Sequence, residues 1–174
     1  MKKIIIGSDH AGFAIKQALV VYLKNLGYEV HDCGPEKYNA DDDYPDFISP
    51  VAREVSKHAS HIGSDTVKGI VLGATGQGEA MVANKFSHIR AAVYYGYGFE
   101  NGERTQKQQE IEALYAMRII ERSRLHNDAN VLALGASFLN ENEAKAAVKL
   151  WLETPFSGEA RHIRRIEEIE KLKI

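Results

Sequence analysis

Short apolar runs alternate along the chain with longer stretches in which apolar residues return every three or four positions. The run KIIIG at 3–7 predicts a buried strand, and Ile15, Leu19, Tyr22, Leu23 and Leu26 then recur at helical spacing up to Gly27. YEVHDCG (28–34) predicts a second strand, followed by the polar loop PEKYNADDDYP. FISPVAREVSKHA predicts a helix in which Pro50 falls in the first turn or kinks it. GIVLG (69–73), IRAAVYY (89–95) and NVLALG (130–135) predict further strands, and helices are expected over 105–125, 141–152 and 158–172. Strands separated by helices predict an α/β fold: a single-domain three-layer α/β/α sandwich around a five-stranded parallel, Rossmann-like sheet. No repeat, low-complexity tract or linker divides residues 1–174. In such sheets ligands sit beyond the carboxyl ends of the strands, where this chain carries SDH after the first strand and ATGQGE after the third.

The length of 174 residues suits one domain with a sizeable core. A formal charge of −2 argues against a nucleic acid or a membrane surface as the main partner. A single cysteine, Cys33, leaves no internal disulfide and no multi-cysteine metal site, which fits a reducing cytoplasm. The start, KKIIIGSDH, turns polar too soon for a signal peptide, and no apolar run approaches the ~18 residues of a membrane helix. A cytoplasmic protein is expected.

The stretch VLGATGQGEAMVANK (71–85) carries Gly73, Gly76 and Gly78, then Glu79. It is neither a dinucleotide fingerprint, because Met81 stands where the third glycine belongs, nor a phosphate loop, because Glu79 follows Gly78 in place of lysine. A strand, a glycine loop and a helix starting near Glu79 would aim backbone N–H groups at a small anion or oxyanion. The same pattern also suits a tight strand–helix turn in which Glu79 merely favours the helix dipole.

GSDHAGF near the N-terminus, DYP at 43–45, GxGExxxANK at 76–85 followed by IRAA, HND at 126–128 and RHxRR at 161–165 occur in that order. Together they resemble the type B ribose-5-phosphate isomerase and galactose-6-phosphate isomerase family over almost the whole chain, excepting about 97–118. The resemblance implies an aldose–ketose isomerase working through a cis-enediolate, without cofactor or metal. D-ribose 5-phosphate and D-ribulose 5-phosphate are the leading pair, and a hexose 6-phosphate is the alternative. A non-catalytic sugar-phosphate-binding module is the rival from another class, and a carboxylate at the anion loop speaks against it. The acidic run Asp41–Asp43 has no histidine-rich partner set in the sequence that would suggest a metal site.

Many members of this family use a cysteine at the end of the third strand as base, where this chain has Gly73; a second branch uses a glutamate just after the glycine loop, which Glu79 matches. Cys33 lies after a different strand and reads as a small core residue. The resemblance further implies catalytic roles for Thr75 and for His126, which opens the furanose ring. It implies substrate contacts from Asp9, His10, Tyr44, Ala74, Gly76, Gly78 and Asn127, and phosphate contacts from Arg161 and Arg165. Each has a plainer reading. Asp9 could cap a helix beside a solvent-facing His10, Tyr44 could cover the core edge with Asp43 and Asp46 capping the next helix, and His126 could be a structural loop residue. Arg161 and Arg165 share a helical face and could pair with Glu167, Glu168 and Glu170; yet arginines at a helix start oppose the dipole, a penalty that a bound phosphate reverses.

The resemblance implies a homodimer or homotetramer with sites shared between subunits. Two departures stand out. Many relatives have an arginine two residues after the glycine ending the fifth strand, where this chain has Ser137; and about 97–118 forms an insertion. The insertion is expected to lengthen the helix before HND and to carry a flap over Gly96–Gly102, with Arg104, Arg118, Arg122 and Arg124 as candidates to replace the absent arginine.

Overall fold

The computed structural model describes residues 2–64, 66–96 and 105–172, without the side chains of residues 108–110 and 112. Five strands form one parallel sheet: β1 (Lys3–Ser8), β2 (Glu29–Asp32), β3 (Val67–Gly73), β4 (Ala91–Tyr94) and β5 (Val131–Gly135), in the spatial order β2-β1-β3-β5-β4. Between and after them run α1 (Phe13–Asn25), α2 (Tyr44–His58), α3 (Gln77–Ala83), α4 (Gln106–Asn127), α5 (Glu141–Glu153) and α6 (Ala160–Glu170).

The strand alternation sorts the core into two layers. Ile4, Ile6, Ile70, Leu72, Leu132 and Leu134 pack with α1, α4 and α5 through Leu19, Leu23, Ile120, Val148 and Trp151. Ile5, Val71, Val131 and Ala133 face the other way, onto α2 and α3 through Ile48, Val51, Val55, Ala80 and Ala83. Strands covered on both faces need apolar residues at consecutive positions, which is why KIIIG reads as an unbroken run. The three-layer α/β/α sandwich follows.

Several boundaries differ from expectation. β4 is shorter than 89–95 because Arg90 turns aside to donate its backbone N–H to Asn130 Oδ1 at 2.8 Å and its guanidinium to Asp128. α2 starts at Tyr44 with Pro45 in its first turn, so Pro50 lies a turn inside the helix. Asp43 occupies the N-cap position of α2 without a side-chain capping bond, and Asp46 sits in the first turn. α4 extends to Asn127, so His126 and Asn127 end a helix and do not sit in a loop. The flap proposed over Gly96–Gly102 falls, apart from Gly96, outside the described residues, as does Arg104. No helix among the described residues is long and apolar enough to cross a membrane.

Candidate active site

Two clusters of polar residues lie at opposite ends of the sheet. The first follows β1 and β3. Asp9 is 6% exposed, and its Oδ1 accepts the N–H groups of Ala11 at 3.0 Å and Gly12 at 3.2 Å. The capping reading of Asp9 is therefore realised as an Asx turn ahead of α1. His10 is tied down: one oxygen of Asp42 accepts both its backbone N–H at 3.1 Å and its ring Nδ1 at 2.7 Å. That hydrogen bond raises the His10 pKa above the ordinary histidine value, helped by the charges of Asp9, Asp42 and Asp41.

Beyond β3, Gly76 turns the chain at φ +74, a left-handed conformation that favours glycine; a Cβ there would also press on the Leu134 and Gly135 backbone at 3.0–3.2 Å. α3 begins at Gln77, two residues before the expected Glu79 start, which puts Glu79 in its first turn. Seven residues give that helix a weak dipole, and the loop N–H groups of Gly76 and Gln77 face the Glu79 carboxylate and Thr75 Oγ1 respectively. Glu79 is 4% exposed. Burial is the main cause that raises its carboxyl pKa, and the nearby Asp9 charge adds to it; the N–H groups of Glu79 itself and of Gly76 pull the other way. A buried carboxylate with a raised pKa is the state a general base requires. Tyr44 lies against Gly78, where a Cβ would come within 3.0 Å of Cζ and 3.1 Å of the hydroxyl. Thr75 Oγ1 accepts the Gln77 N–H at 3.3 Å, and Thr75, Gln77, Tyr95 and Phe138 line a cavity of about 310 Å³. The loop after β5 closes onto this one: Ala136 N–H donates to Gly73 O at 2.8 Å and Ser137 N–H to Ala74 O at 3.0 Å.

Asp9, His10 and Asp42 each have a potential ligand atom within 4.8 Å of the others'. Thus a histidine does join the acidic run, which sequence spacing did not reveal. Those atoms are spent on the protein, however: His10 Nδ1 on Asp42, and Asp9 Oδ1 on two amides.

The second cluster lies at the amino end of β5. The imidazoles of His126 and His162 stack at 4.5 Å between centroids and 11° between planes. His162 is 5% exposed; burial, then His126 and Arg161, lower its pKa. Arg161 is exposed and pairs with Glu159 at 2.8 Å, while Arg165 has no ion-pair partner among the described residues. The pairing expected with Glu167, Glu168 and Glu170 is not what forms, because Glu170 is taken by His88 at 2.8 Å and Arg90 at 3.3 Å. A buried network fixes the HND turn. Arg124 donates to Asp128 at 2.8 Å and to the Ala129 carbonyl at 2.7 Å, and Arg90 donates to the Asn127 carbonyl at 3.1 Å and to Asp128 at 2.9 Å. Fully buried Arg124 is thereby removed as a substitute phosphate ligand, whereas Arg118 and Arg122 remain exposed.

β3 and β5 pair from Gly69↔Val131 to Gly73↔Gly135, so about 13 Å of strand separates the two clusters within one chain. A cavity of about 1020 Å³ lies at the amino end beside α6, lined by His61, Arg90, Phe156 and Glu167 among others. It is remote from Glu79. Sequence reasoning missed three residues at these sites: Asp42, His162 and Asp128. Each sits inside a quoted motif or run, but its role depends on a partner 32, 36 or 38 positions away in the chain.

The chain matches the model of the family described as Ribose/Galactose Isomerase over residues 4–116 and 96–169. It is 34% identical over 166 residues to ribose-5-phosphate isomerase B of Mycobacterium tuberculosis, covering 95% of this chain and 86% of the relative. To the Escherichia coli protein of the same name it is 35% identical over 173 residues, covering 99% and 97%. Among solved structures, ribose-5-phosphate isomerase B from Mycoplasma genitalium with bound ribulose-5-phosphate superposes with a TM-score of 0.80 at 32% identity, over 97% of this chain and 94% of that one. The Clostridium thermocellum enzyme superposes with a TM-score of 0.77 at 37% identity, over 97% and 95%. With the buried carboxylate beside its glycine loop and the five-stranded sheet that carries both, the chain belongs to the ribose/galactose isomerase family of aldose–ketose isomerases.

Proposed function

We propose that the protein interconverts D-ribose 5-phosphate and D-ribulose 5-phosphate by proton transfer, in a site that two copies of the chain build together. The observation that carries this is Glu79: buried, raised in pKa by burial, and folded over Gly73 at the end of β3 beside the glycine loop. Its carboxylate takes the proton from C2 of the open aldose as the C1 carbonyl becomes the enediolate oxygen. The same carboxyl returns the proton to C1, while the C2 hydroxyl loses its proton to become the ketone and O1 gains one. Thr75 Oγ1 accepts from Gln77, which leaves its own O–H available to donate to that oxyanion. Ala74, Gly76 and Gly78 bring the backbone close to the sugar, Asp9 holds sugar hydroxyls, and Tyr44 walls the pocket.

His126 opens the furanose ring, Asn127 binds the sugar, and Arg161 and Arg165 join His10 on the phosphate. About 13 Å of sheet keeps His126, Asn127, Arg161 and Arg165, though not His10, from Glu79 of the same chain. A second copy supplies them, which makes the homodimer, alone or within a tetramer, the working unit. α4 offers a surface for that contact: Ile111, Leu114, Tyr115 and Ile119 are 44–62% exposed along one side. The segment at about 97–118 is read as an insertion within one domain, in keeping with the overlap of the two family matches over 96–116.

The test is isomerisation of a panel of pentose and hexose phosphates in D₂O with chelator present. Ribose 5-phosphate is expected to react fastest and ribulose 5-phosphate to carry deuterium at C1. No turnover of ribose 5-phosphate, or faster turnover of a hexose 6-phosphate, would overturn the assignment.

A further inference from the structure

Resting on the reading of His10 as a phosphate ligand, we infer that Asp42 is a positioning residue that orients the His10 ring as a clamp for the substrate phosphate. A histidine just past a strand end has two free side-chain torsions and two tautomers. Asp42 removes both freedoms. Its Oδ1 accepts the His10 backbone N–H at 3.1 Å and the ring Nδ1 at 2.7 Å, so the ring is oriented and Nδ1 carries a proton. No hydrogen bond to the other ring nitrogen forms among the described residues, which leaves Nε2 as the donor for a ligand.

The charge follows from the surroundings. The Asp42 side chain is only 6% exposed, and its Oδ2 is buried without a hydrogen-bond partner. A carboxylate so poorly solvated needs a cation beside it, and His10 is the group in contact. The other groups facing His10 are Asp9 at the exit of β1, Asp41 in the loop before α2, and the edge-on ring of Tyr38 at 6.2 Å. The carboxylates all favour the protonated ring.

The benefit lies in matching two titrations. A phosphate monoester gains its second negative charge near pH 6, while an ordinary histidine loses its charge near pH 6.5. Without help, dianion and imidazolium coexist in a narrow window. Favouring the protonated form of His10 widens that window upward in pH, toward fully dianionic substrate. The loop that supplies Asp42 also lays Tyr44 over Gly78, so one segment braces the phosphate end and the anion-loop end of the pocket.

The experiment follows the imidazole resonances of His10, assigned by His10→Asn, through a pH titration of the wild type and Asp42→Asn. Binding of ribose 5-phosphate is measured calorimetrically at about pH 8 and about pH 5.5, on either side of an ordinary histidine. Asp42→Asn is expected to lower the His10 titration and to weaken binding about 10-fold at the higher pH. At the lower pH, where His10 is charged regardless, the loss shrinks to less than about threefold. In a His10→Asn background the Asp42 substitution should add nothing. Asp42→Thr, which keeps an acceptor for the N–H, serves if the asparagine variant does not fold. An unchanged His10 titration overturns the role of Asp42, whatever happens to binding. A shifted titration with unchanged affinity at the higher pH instead overturns the reading of His10 as the phosphate ligand, and the clamp with it.

Discussion

The Glu79 carboxylate fills the space that any side chain at Gly73 would enter: a Cβ built on Gly73 overlaps Oε1 and Cδ of Glu79 and lies 2.9 Å from Oε2. In the relatives with a cysteine base, that base projects from this strand end. Here a carboxylate six residues further on is folded back to the same point, which is possible only because position 73 is empty. Gly73→Ala is therefore expected to keep the fold while displacing Glu79 by about an ångström, with a loss in kcat of roughly 10²-fold. Steady-state kinetics with a circular-dichroism melt checks this. Undiminished turnover would mean that the carboxylate does not work from where it lies.

Glu79→Gln keeps the shape and removes the base, so kcat should fall by about 10²–10⁴. The same change should alter stability with pH. Burial raises the Glu79 pKa above 4.5, so its ionisation in the folded state opposes folding. Its contribution to stability is complete below the unfolded value and is lost as pH rises through the folded one. The glutamine variant should thus melt above the wild type at about pH 8, with the gap closing toward pH 4.5. A wild-type-like pH dependence of melting in the variant would show that the carboxylate is not destabilised by its burial.

Subunit mixing tests the composite site. Glu79→Gln and His126→Asn homodimers should each be nearly inactive. Co-refolded at equal amounts, half the dimers are mixed and each carries one intact site, restoring about a quarter of wild-type activity. Absence of any recovery, with mixed dimers demonstrated by mass, would place both residues in one chain's site.

The buried His162 makes an acid-sensitive element of the second cluster. Its pKa is lowered from 6.5 by burial, so the stability it allows is full above that value and is lost as pH falls below it. His162→Phe keeps a flat ring against His126 and removes the buried Nε2, which has no hydrogen-bond partner. The variant is expected to match the wild type near pH 8 and to melt higher near pH 5.5. Equal acid sensitivity in thermal melts would rule out His162 as its source.

β1, β3 and β5 announce themselves in the sequence as continuous apolar runs because they are buried on both faces, whereas β2 at the sheet edge, EVHD, is mostly exposed and carries a weaker signal. Helix ends were less legible. Pro45 starts α2 before the apolar pattern begins, and α4 runs on through His126 and Asn127 because the Arg124–Asp128 pair at 2.8 Å closes its last turn. Arg124 illustrates the limit: its charge suggested a phosphate ligand, while its environment makes it a core residue stacked over Trp151 at 5.7 Å. Charge is written in the sequence, but burial is not.

The sequence by itself determined the parallel α/β sheet, the glycine loop and the pairing of glycine at position 73 with a glutamate just after that loop, since all three depend on residue type and local order. Only the tertiary structure decided that the Glu79 carboxylate lies at the end of β3, that Asp42 holds His10, and that His162 stacks on His126. It also decided that the residues of the expected site divide between two ends of the sheet. Those relationships depend on distances between residues far apart in the chain, which helix packing and strand register set and no local pattern encodes.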